Sequence, residues 1–410
     1  MRSVIILNSK IIIKGDQQRI SNLLSAMEVK DTPVTILLDN PEIYTNEILA
    51  TEMCHNFRIE VMELDAKLGE IDGMIYLPDN PFYDPEIIDA STIAENIREP
   101  LMQFRMAIND IISRGFNGKI MIDCPHDEIF VYFAAYFSGL DVKKIIGLGT
   151  LPQEIILREA LVRKFNVSGD DINVNTLGLN THNLVAWSRV YIGPSTLLSY
   201  IADDSKNYDD KIINNFSEQI GNHKIVSNSV IQSKAVMRLL TCVYGENSLI
   251  CSVTSLKKEN DKLSLSLGPK LVNQFGIFRS INLQLADNEQ EELTHDAEWS
   301  MDIIENIKKG NKNGKKTDQN YAYPIVEDWS MQELIDVTEF FRNIERAYDE
   351  HGVNRQKLID SFRRFQEINP ARTEQNNLRR DFEKNSNLDI YQVLKNAQEH
   401  PKTKNIKQMD

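Results

Sequence analysis

The stretch Lys119-Ile-Met-Ile-Asp-Cys-Pro-His-Asp-Glu-Ile-Phe-Val-Tyr-Phe-Ala-Ala-Tyr-Phe-Ser-Gly-Leu140, followed by Lys144-Ile-Ile-Gly-Leu-Gly-Thr150, decides how this 410-residue chain folds. It opens on a short apolar run, 119–122, that leads into a longer segment of helical pattern. The same order recurs through the first 150 residues, where the other short apolar runs are Val4–Leu7, Val34–Leu38 and Gly73–Leu77. Buried strands that alternate with helices are typical of a parallel sheet with crossover helices. We therefore predict an α/β fold.

The pattern changes after residue 150, which predicts a second domain of α+β type. A long helix is expected near Pro152–Phe165, a strand-rich part around Leu249–Leu285, and a helix at about 288–309. The segment Lys308-Lys-Gly-Asn-Lys-Asn-Gly-Lys-Lys316 has too little apolar surface to pack, so it predicts a flexible linker. The predicted domains are 1–149, 150–309 and a helical extension over 321–410, with the linker at 310–320.

The extension shows clear helix signals. Ser330-x-x-Glu333 is a capping box, and Asn354 is suited to cap the next helix. A third and a fourth helical segment, around 373–384 and 389–398, are more polar than the first two. The first helix carries one apolar seam, made of Leu334, Val337, Phe341, Ile344 and Tyr348. Such a seam predicts a surface for a protein partner; the alternative is that these helices pack back on the chain's own core.

Composition excludes several classes of function. Asp and Glu number 60 against 46 Lys and Arg, which gives a net charge of −14 and argues against general binding to nucleic acid or to anionic membranes. No apolar run approaches the length needed to cross a bilayer, and the N-terminus runs straight into a strand-like segment. We therefore expect a cytoplasmic protein.

Cysteine and histidine are scattered along the chain. The four cysteines form no Cys-x-x-Cys pair, and the seven histidines show no spacing that places two ligands on one helical face. The sequence therefore predicts no disulfide framework and no metal site.

A sheet of this kind normally binds a dinucleotide where the first strand turns into its helix, through a glycine-rich loop. Here the segment Ile5-Ile-Leu-Asn-Ser-Lys-Ile-Ile-Ile-Lys-Gly-Asp16 offers only Gly15, and Leu7 and Ile11 are expected to fill the space of the diphosphate. Asp39, which ends the second apolar run, is suited to bind ribose hydroxyls, or else it starts a turn with Asn40 and Pro41. A further alternative is a different nucleotide held by Lys10 and Lys14.

The stretches quoted at the start resemble the lactate/malate dehydrogenase family, most closely its lactate branch. The resemblance spans about residues 1–309 and continues through three further blocks: Leu157–Val167, Leu177–Ser188 and Phe275–Leu285. It implies a Rossmann-like domain followed by an α+β domain, NAD(H) as the candidate cofactor, and assembly of the chain into homo-oligomers.

Several residues that the family uses in catalysis are replaced here. Reduction of a 2-keto acid needs an imidazolium acid, a carboxylate that orients it, and arginines for the substrate. By resemblance the acid falls on Asn180, the orienting carboxylate on Gln153 and the carboxylate-binding arginine on Ile156. Arg158 faces the other side of the helix, and no arginine occurs between Leu77 and Glu95.

Two residues remain as candidates for chemistry. His182 follows Asn180 by two positions and could serve as the acid, or it is an ordinary loop histidine. By resemblance, Cys124 falls on the family's asparagine near the nicotinamide. It is either a nucleophile or a small buried residue, and the adjacent Asp123 opposes a thiolate.

These replacements favour a non-catalytic scaffold that binds a partner through its helical extension, and the resemblance implies that this scaffold is oligomeric. The alternative is an NAD(H)-dependent oxidoreductase of altered chemistry that acts on an uncharged or larger substrate. In that reading His182 is the acid, Asp39 binds the ribose, and the apolar Ile156 suits a substrate without a carboxylate.

Overall fold

The computed structural model describes residues 9–63, 66–79, 82–202, 211–260, 262–313, 331–348, 352–370, 372–386, 388–400, 403 and 405–407. The chain divides into two compact units, Met1–Ile304 and Glu305–Asp410. No helix in these ranges is both long enough and apolar enough to cross a bilayer.

The first unit is built on a six-stranded parallel sheet. In sheet order β3-β2-β1-β4-β5-β6, its strands are Arg58–Val61, Val34–Leu38, Ser9–Gly15, Gly73–Leu77, Lys119–Ile122 and Ile145–Gly147. The predicted α/β fold is confirmed, and three of the predicted strands have the bounds expected from their apolar runs. Because β1 and β4 are neighbours, the strand order reverses between them, and the crevice at that point is where such sheets bind ligands.

The first strand begins later than the sequence suggested. Val4–Leu7 lies outside the described residues, and the first described strand is β1 at Ser9–Gly15. Ile11 is fully buried in this strand, opposite Ile36 of β2 and Gly73 of β4. The prediction that Ile11 fills the diphosphate space is therefore wrong, because the chain turns into its helix after Gly15 and not after Leu7.

Helices cover the sheet and connect its strands. They are α1 (Gln17–Val29), α2 (Thr45–Ala50), α3 (Ala90–Ser113) and α4 (Asp127–Ser138). Aspartates begin two of them: the Asp16 side chain accepts from the Arg19 N–H, and the Asp89 side chain accepts from the Thr92 N–H. An acid at this position satisfies a free N–H and complements the helix dipole. Arg98 lies within α3, as expected from the sequence.

The rest of the first unit is of α+β type, as predicted. Its helices are α5 (Leu151–Phe165), α6 (Leu197–Ile201), α7 (Ile212–Ile220), α8 (Lys224–Ser227), α9 (Ser229–Val243) and the first part of α10 (Asp287–Asn313), which continues past Ile304 into the second unit. Short strands β7–β11 are Ile172–Asn173, Thr176–Gly178, Asn183–Val185, Tyr191–Ile192 and Ser195–Thr196. The strand-rich part holds β12–β16: Leu249–Ser252, Ser255–Glu259, Lys262–Ser266, Pro269–Asn273 and Gly276–Ser280. Because α10 runs to Asn313, residues 310–313 of the predicted linker are helical; 314–320 lie outside the described residues.

After α10, the described residues of the second unit form four helices that share a hydrophobic core. They are α11 (Met331–Ala347), α12 (Arg355–Ile368), α13 (Arg372–Ser386) and α14 (Ile390–Glu399), with a short ladder of β17 (Val353–Asn354) and β18 (Asn405–Ile406). As predicted, the Asn354 side chain caps α12 by accepting from the Lys357 N–H at 3.1 Å. Ser330 and the side chain of Leu334 lie outside the described residues.

The apolar seam of α11 is used inside this unit. Val337, Phe341 and Ile344 are almost completely buried, and Phe341 stacks on Phe382 of α13 with ring centroids 4.6 Å apart. The interpretation of this seam as a surface for a protein partner is therefore wrong, because the partners of these side chains are the neighbouring helices of the same unit.

Candidate functional site

The turn between β1 and α1 lies at the crevice where the strand order reverses. Gly15 has a φ of +144°, and a Cβ atom there would lie 2.0 Å from the carbonyl oxygen of Leu77. The backbone N–H of Asp16 donates to that carbonyl at 2.7 Å, and the Asp16 carboxylate accepts from the Arg19 N–H at 2.9 Å. The backbone N–H groups of Asp16 and Arg19 at the start of α1 thus donate to acceptors within the protein. The Asp16 carboxylate lies at the helix N-terminus, where a phosphate would otherwise bind.

A buried ion pair lies across the same crevice. Arg19, in the first turn of α1, is within 3.0 Å of the carboxylate of Asp123, which follows β5. The guanidinium also donates to the Pro78 carbonyl, beyond the end of β4, at 2.6 Å. Both charged side chains are more than nine-tenths buried. Burial raises the pKa of the Asp123 carboxyl, and Arg19 opposes that rise. The arginine therefore fastens α1 to the ends of two strands through the region that a dinucleotide would have to occupy.

The candidate ribose-binding carboxylate is also paired. Lys14 Nζ lies 2.8 Å from the carboxylate of Asp39 and 3.0 Å from that of Asp110 on α3. The two carboxylates raise the pKa of Lys14 although burial, the largest single influence, opposes the rise. Lys10 lies 3.7 Å from Glu60. The two lysines considered as phosphate ligands thus face carboxylates of neighbouring elements.

These contacts decide how well the crevice suits NAD(H). A dinucleotide needs free backbone N–H groups and close approach at the first turn, together with a free acid at the end of β2. Here the backbone N–H groups of Asp16 and Arg19 already donate to acceptors within the protein. Gln17 and Ile20 stand where the second and third glycines of a glycine-rich loop would follow Gly15. The Asp39 carboxylate is paired with Lys14. The residues present do not fit the group.

A chain of buried hydrogen bonds joins Asn180 and Gln153, the residues on which the expected acid and its orienting carboxylate fall by resemblance. The Gln153 side chain donates to the backbone carbonyl of Asn180 at 2.9 Å. The Asn180 amide donates to the Cys124 carbonyl at 2.7 Å and accepts from the His126 N–H at 3.1 Å. These groups fix the turn after β5 to the loop after β8. None of the three contacts involves a group that transfers a proton at neutral pH, so their contribution is structural.

Three further sequence candidates have apolar or structural surroundings. Ile156 packs against an apolar cluster that includes Leu161 and Phe165. Cys124 is buried, and burial raises the pKa of its thiol well above the usual value, which favours the small buried residue over the nucleophile. Arg158 pairs with Glu154 on its own helix at 3.7 Å.

His182 has the geometry of an oriented imidazole. Its Nδ1 lies 2.8 Å from a carboxylate oxygen of Asp296 on α10, and its Nε2 lies 3.9 Å from Glu292. Asp296 is buried, whereas 59% of the His182 side chain is exposed. The hydrogen bond to Asp296 is the main reason that the pKa of His182 is raised above its usual value of 6.5. An imidazole held by a carboxylate through one nitrogen can exchange a proton through the other.

The His182 side chain lines one of two cavities that have lining residues in common. The first, of about 710 Å³, lies against Gly15, Asp16 and Pro78. The second, of about 400 Å³, is lined by His182 and Asp296 together with Tyr83, His126 and Trp299. Asp84 and Ile87 line both. Within the described ranges, no group of three or more His, Cys, Asp or Glu side chains is arranged to hold a metal ion.

Two important residues were not singled out from the sequence. Asp296 lies 114 positions from His182, so no local motif connects the two. Arg19 could have been noticed in the sequence. It is a charged residue three positions after the helix-capping Asp16, in the first turn of a helix whose N-terminus would have to be open to bind a phosphate. Its contact with Asp123 is a tertiary contact, which the spacing of residues in the sequence does not predict.

The two units have different relatives. Residues 320–406 match the model of an uncharacterised protein family, UPF0223. The UPF0223 protein YktA of Bacillus subtilis is 42% identical over 86 residues, 20% of this chain and 97% of that protein. A UPF0223 protein of Staphylococcus haemolyticus is 41% identical over 81 residues, 20% of this chain and 89% of that protein.

The fold of the remainder is that of solved lactate dehydrogenases. MGS-M5, a lactate dehydrogenase from a Medee basin deep-sea metagenome library, matches with a TM-score of 0.62 and 15% identity over 73% of this chain and 99% of that chain. The lactate dehydrogenase of Cryptosporidium parvum, solved with lactic acid and nicotinamide adenine dinucleotide, matches with a TM-score of 0.61 and 15% identity over 74% of this chain and 99% of that one. At these identities the likeness shows the fold alone.

Proposed function

The chain belongs to the UPF0223 family through residues 320–406, and we propose that it joins this module to a lactate dehydrogenase-like unit that serves as a non-catalytic scaffold. In this proposal the first unit binds no NAD(H) and transfers no hydride. The observation that carries it is the buried pair of Arg19 and Asp123 across the crevice, 3.0 Å apart.

The replaced catalytic positions support the proposal independently. Asn180 and Gln153 are joined in a buried hydrogen-bond network, and Ile156 packs against apolar neighbours. A 2-keto acid would bring a carboxylate next to Ile156, where its charge would have no partner, at a cost of several kcal/mol. The first unit thus retains the side chains that hold the fold while the groups that stabilise the transition state are replaced.

The scaffold is proposed to act through its second unit and through self-association. Because the seam of α11 is internal, a protein partner would contact the outer, polar faces of the helices within 321–410. The first unit is proposed to form homo-oligomers, which light scattering on the purified chain measures. A monomer at micromolar concentration would remove this part of the proposal.

A turnover assay tests the loss of catalysis. The purified chain is mixed with NADH and a panel of 2-keto acids, with a lactate dehydrogenase as the positive control in the same buffer. We expect no consumption of NADH above the buffer rate, because the acid, its orienting carboxylate and the substrate arginine are replaced. Turnover with any member of the panel would overturn the proposal.

A second candidate function follows from the 2.8 Å contact between His182 and Asp296. This pair, beside a cavity, suits the proton transfer of an NAD(H)-dependent oxidoreductase of altered chemistry that acts on an uncharged or larger substrate. Its test is a screen of aldehydes and ketones without a carboxylate. Turnover that disappears in His182→Ala would favour this candidate over the scaffold; turnover that survives would exclude His182 as its acid.

A further inference from the structure

A lysine is buried in the strand-rich part of the first unit. Only 2% of Lys270, on β15, is exposed, and its Nζ donates to the Gly268 carbonyl at 2.8 Å. Among the described residues, no aspartate or glutamate forms an ion pair with this nitrogen. A charged ammonium carries three N–H donors, so its burial with one acceptor and no counter-ion is costly in free energy. The position therefore favours a neutral amine.

A cavity of about 320 Å³ lies beside this lysine. Lys270 and Gly268, which accepts its hydrogen bond, both line the cavity, and so does Ser280, the residue opposite Lys270 in the β15–β16 ladder. Residues opposite each other in a ladder carry their side chains on the same face of the sheet. The side chain of Lys270 therefore lies on the face that borders the cavity.

The surroundings of Lys270 in this cavity are apolar or cationic. The described residues that line it include no aspartate or glutamate, although acids outnumber basic residues by 60 to 46 in the chain. The second charged residue of the wall is Lys257, on β13. An apolar pocket and a neighbouring cation are the two features that make a lysine amine nucleophilic. The apolar part of the wall is formed mainly by Leu177, Leu267, Leu283, Leu285 and Leu293.

The titration of Lys270 agrees with these surroundings. Burial, and to a smaller extent the charge of Lys257, lowers the pKa of Lys270 to about 7. An ordinary lysine has a pKa of about 10.4, so at pH 7 only about one molecule in 2,500 carries the neutral amine. The neutral, nucleophilic form of Lys270 is therefore abundant at neutral pH.

We propose that Lys270 forms a Schiff base with aliphatic aldehydes that enter this cavity. The aldehyde carbon chain would lie against the leucines of the wall. The hydroxyls of Ser266 and Ser280, which are 3.5 Å apart and both line the cavity, are suited to donate to the carbonyl oxygen. In the described part of the chain, this cavity shares no lining residue with the two cavities at the crevice, so the inference goes beyond the proposed function and does not depend on it.

The reaction needs no other reactant. The Nζ lone pair attacks the carbonyl carbon, a C–N bond forms, and the C=O electron pair moves to the oxygen, which takes up a proton while the nitrogen loses one. The resulting carbinolamine loses its hydroxyl together with the second amine proton, as water, and the C=N bond forms. Both hydrogens of the amine thus leave in the water, so nothing is oxidised or reduced.

Reductive trapping on the full chain tests the proposal. The protein is incubated at pH 7 with substoichiometric butanal and sodium cyanoborohydride, which converts a Schiff base to a stable butyl-lysine, and the modified peptides are identified by mass spectrometry. We expect Lys270 to be alkylated at least about tenfold faster than Lys262, an exposed lysine on β14 outside the cavity. The ratio of the two rates should fall above about pH 9, where ordinary lysine amines also lose their protons.

Two serine variants test whether the aldehyde reacts inside the cavity. Ser280→Met fills the space beside Lys270 and should abolish its faster labelling, whereas Ser264→Met, exposed on β14 outside the cavity, should leave it unchanged. Both variants are compared only at a melting temperature close to that of the parent. Lys257→Met should move the rise of Lys270 labelling to higher pH, because it removes the neighbouring cation that disfavours the ammonium form.

Two results would overturn the inference. One is equal alkylation of Lys270 and Lys262 at pH 7 in the parent chain, which needs no variant to fold. The other is an equal effect of Ser280→Met and Ser264→Met, which would show that the aldehyde does not reach Lys270 through the cavity. The NADH turnover assay of the proposed function is unaffected by either result, so the two proposals fail separately.

Discussion

The guanidinium of Arg19 lies 3.0 Å from the carboxylate of Asp123, and both side chains are buried between the start of α1 and the end of β5. In an open parallel sheet, a bound dinucleotide lies across this crevice at the carboxyl ends of the strands. A buried charge pair is costly to separate, since each charge left alone in the interior loses its compensation. In the proposed function, this contact is what keeps a dinucleotide out of the crevice.

Removing the arginine should destabilise the first unit. In Arg19→Met the Asp123 carboxyl stays buried without its partner, and we expect the free energy of unfolding to fall by about 3 kcal/mol. Urea unfolding followed by tryptophan fluorescence measures the loss. The double variant Arg19→Met/Asp123→Asn should recover part of it, because no charge is then left unpaired. A single variant as stable as the parent would show that the pair does not hold the crevice.

The turn after β1 should tolerate no side chain. In Gly15→Ala the new Cβ would meet the Leu77 carbonyl, and the φ of +144° is one that alanine rarely adopts. We expect a loss of at least about 2 kcal/mol in stability. Gly115→Ala is the matched control: its φ is +86°, but no atom lies within 4 Å of the new Cβ, so the smaller strain alone applies. Equal losses in both variants would contradict the close approach of β1 to β4.

The titration of His182 should depend on Asp296. The hydrogen bond between them is the main influence that raises the pKa of His182 above 6.5. In Asp296→Asn we therefore expect the pKa to move down toward that ordinary value, as measured by NMR titration of the imidazole protons. His400, on the second unit, serves as the internal reference. An unchanged His182 titration would show that the pair does not form in solution.

The same pair predicts how stability changes with pH. Because the pKa of His182 is raised in the folded chain, its stabilisation is complete below the unfolded value of about 6.5 and is lost as pH rises through the folded pKa. The difference in free energy of unfolding between the parent and His182→Gln should therefore be larger at about pH 5.5 than at about pH 9. A difference that grows with pH would contradict this sign.

The second unit should fold without the first. The Bacillus subtilis relative matches it over 97% of its own length, so the module occurs as a separate protein. We expect residues 320–410 alone to be helical and to unfold cooperatively by circular dichroism. Phe341→Ala should cost about 3 kcal/mol because the ring is fully buried, whereas Tyr391→Ala, 61% exposed, should cost little. A chain lacking 318–410 should keep its melting temperature; aggregation would show that the first unit depends on the extension.

The sequence predicted the strands best where nearly every residue of a strand is buried. Strands Val34–Leu38, Gly73–Leu77 and Lys119–Ile122 are buried along almost their whole length, so each appears in the sequence as a short, mainly apolar run. The first strand was harder to place, because Val4–Leu7 and Ile11–Ile13 are equally apolar. Only the turn at Gly15, a tertiary requirement set by Leu77, fixes where the strand ends.

The site was predicted only in part. Asp39 and Lys14 were both identified, but as ligands for a nucleotide, because spacing does not show that two side chains on neighbouring strands face each other. The α11 seam was identified as apolar, and its periodicity is the same whether it is covered by a partner or by Phe382 of the same unit. His182 was identified as a candidate acid, and that role stays a prediction; its partner Asp296 was not identified, because it lies 114 positions away along the chain.

The most direct test of the central claim is calorimetric titration of the purified chain with NADH. The account predicts no binding up to millimolar NADH, because Arg19 and Asp123 occupy the crevice and Asp16 caps the helix that would receive the diphosphate. Saturable binding at micromolar NADH would contradict it, and would require Arg19 to leave Asp123 when the cofactor enters.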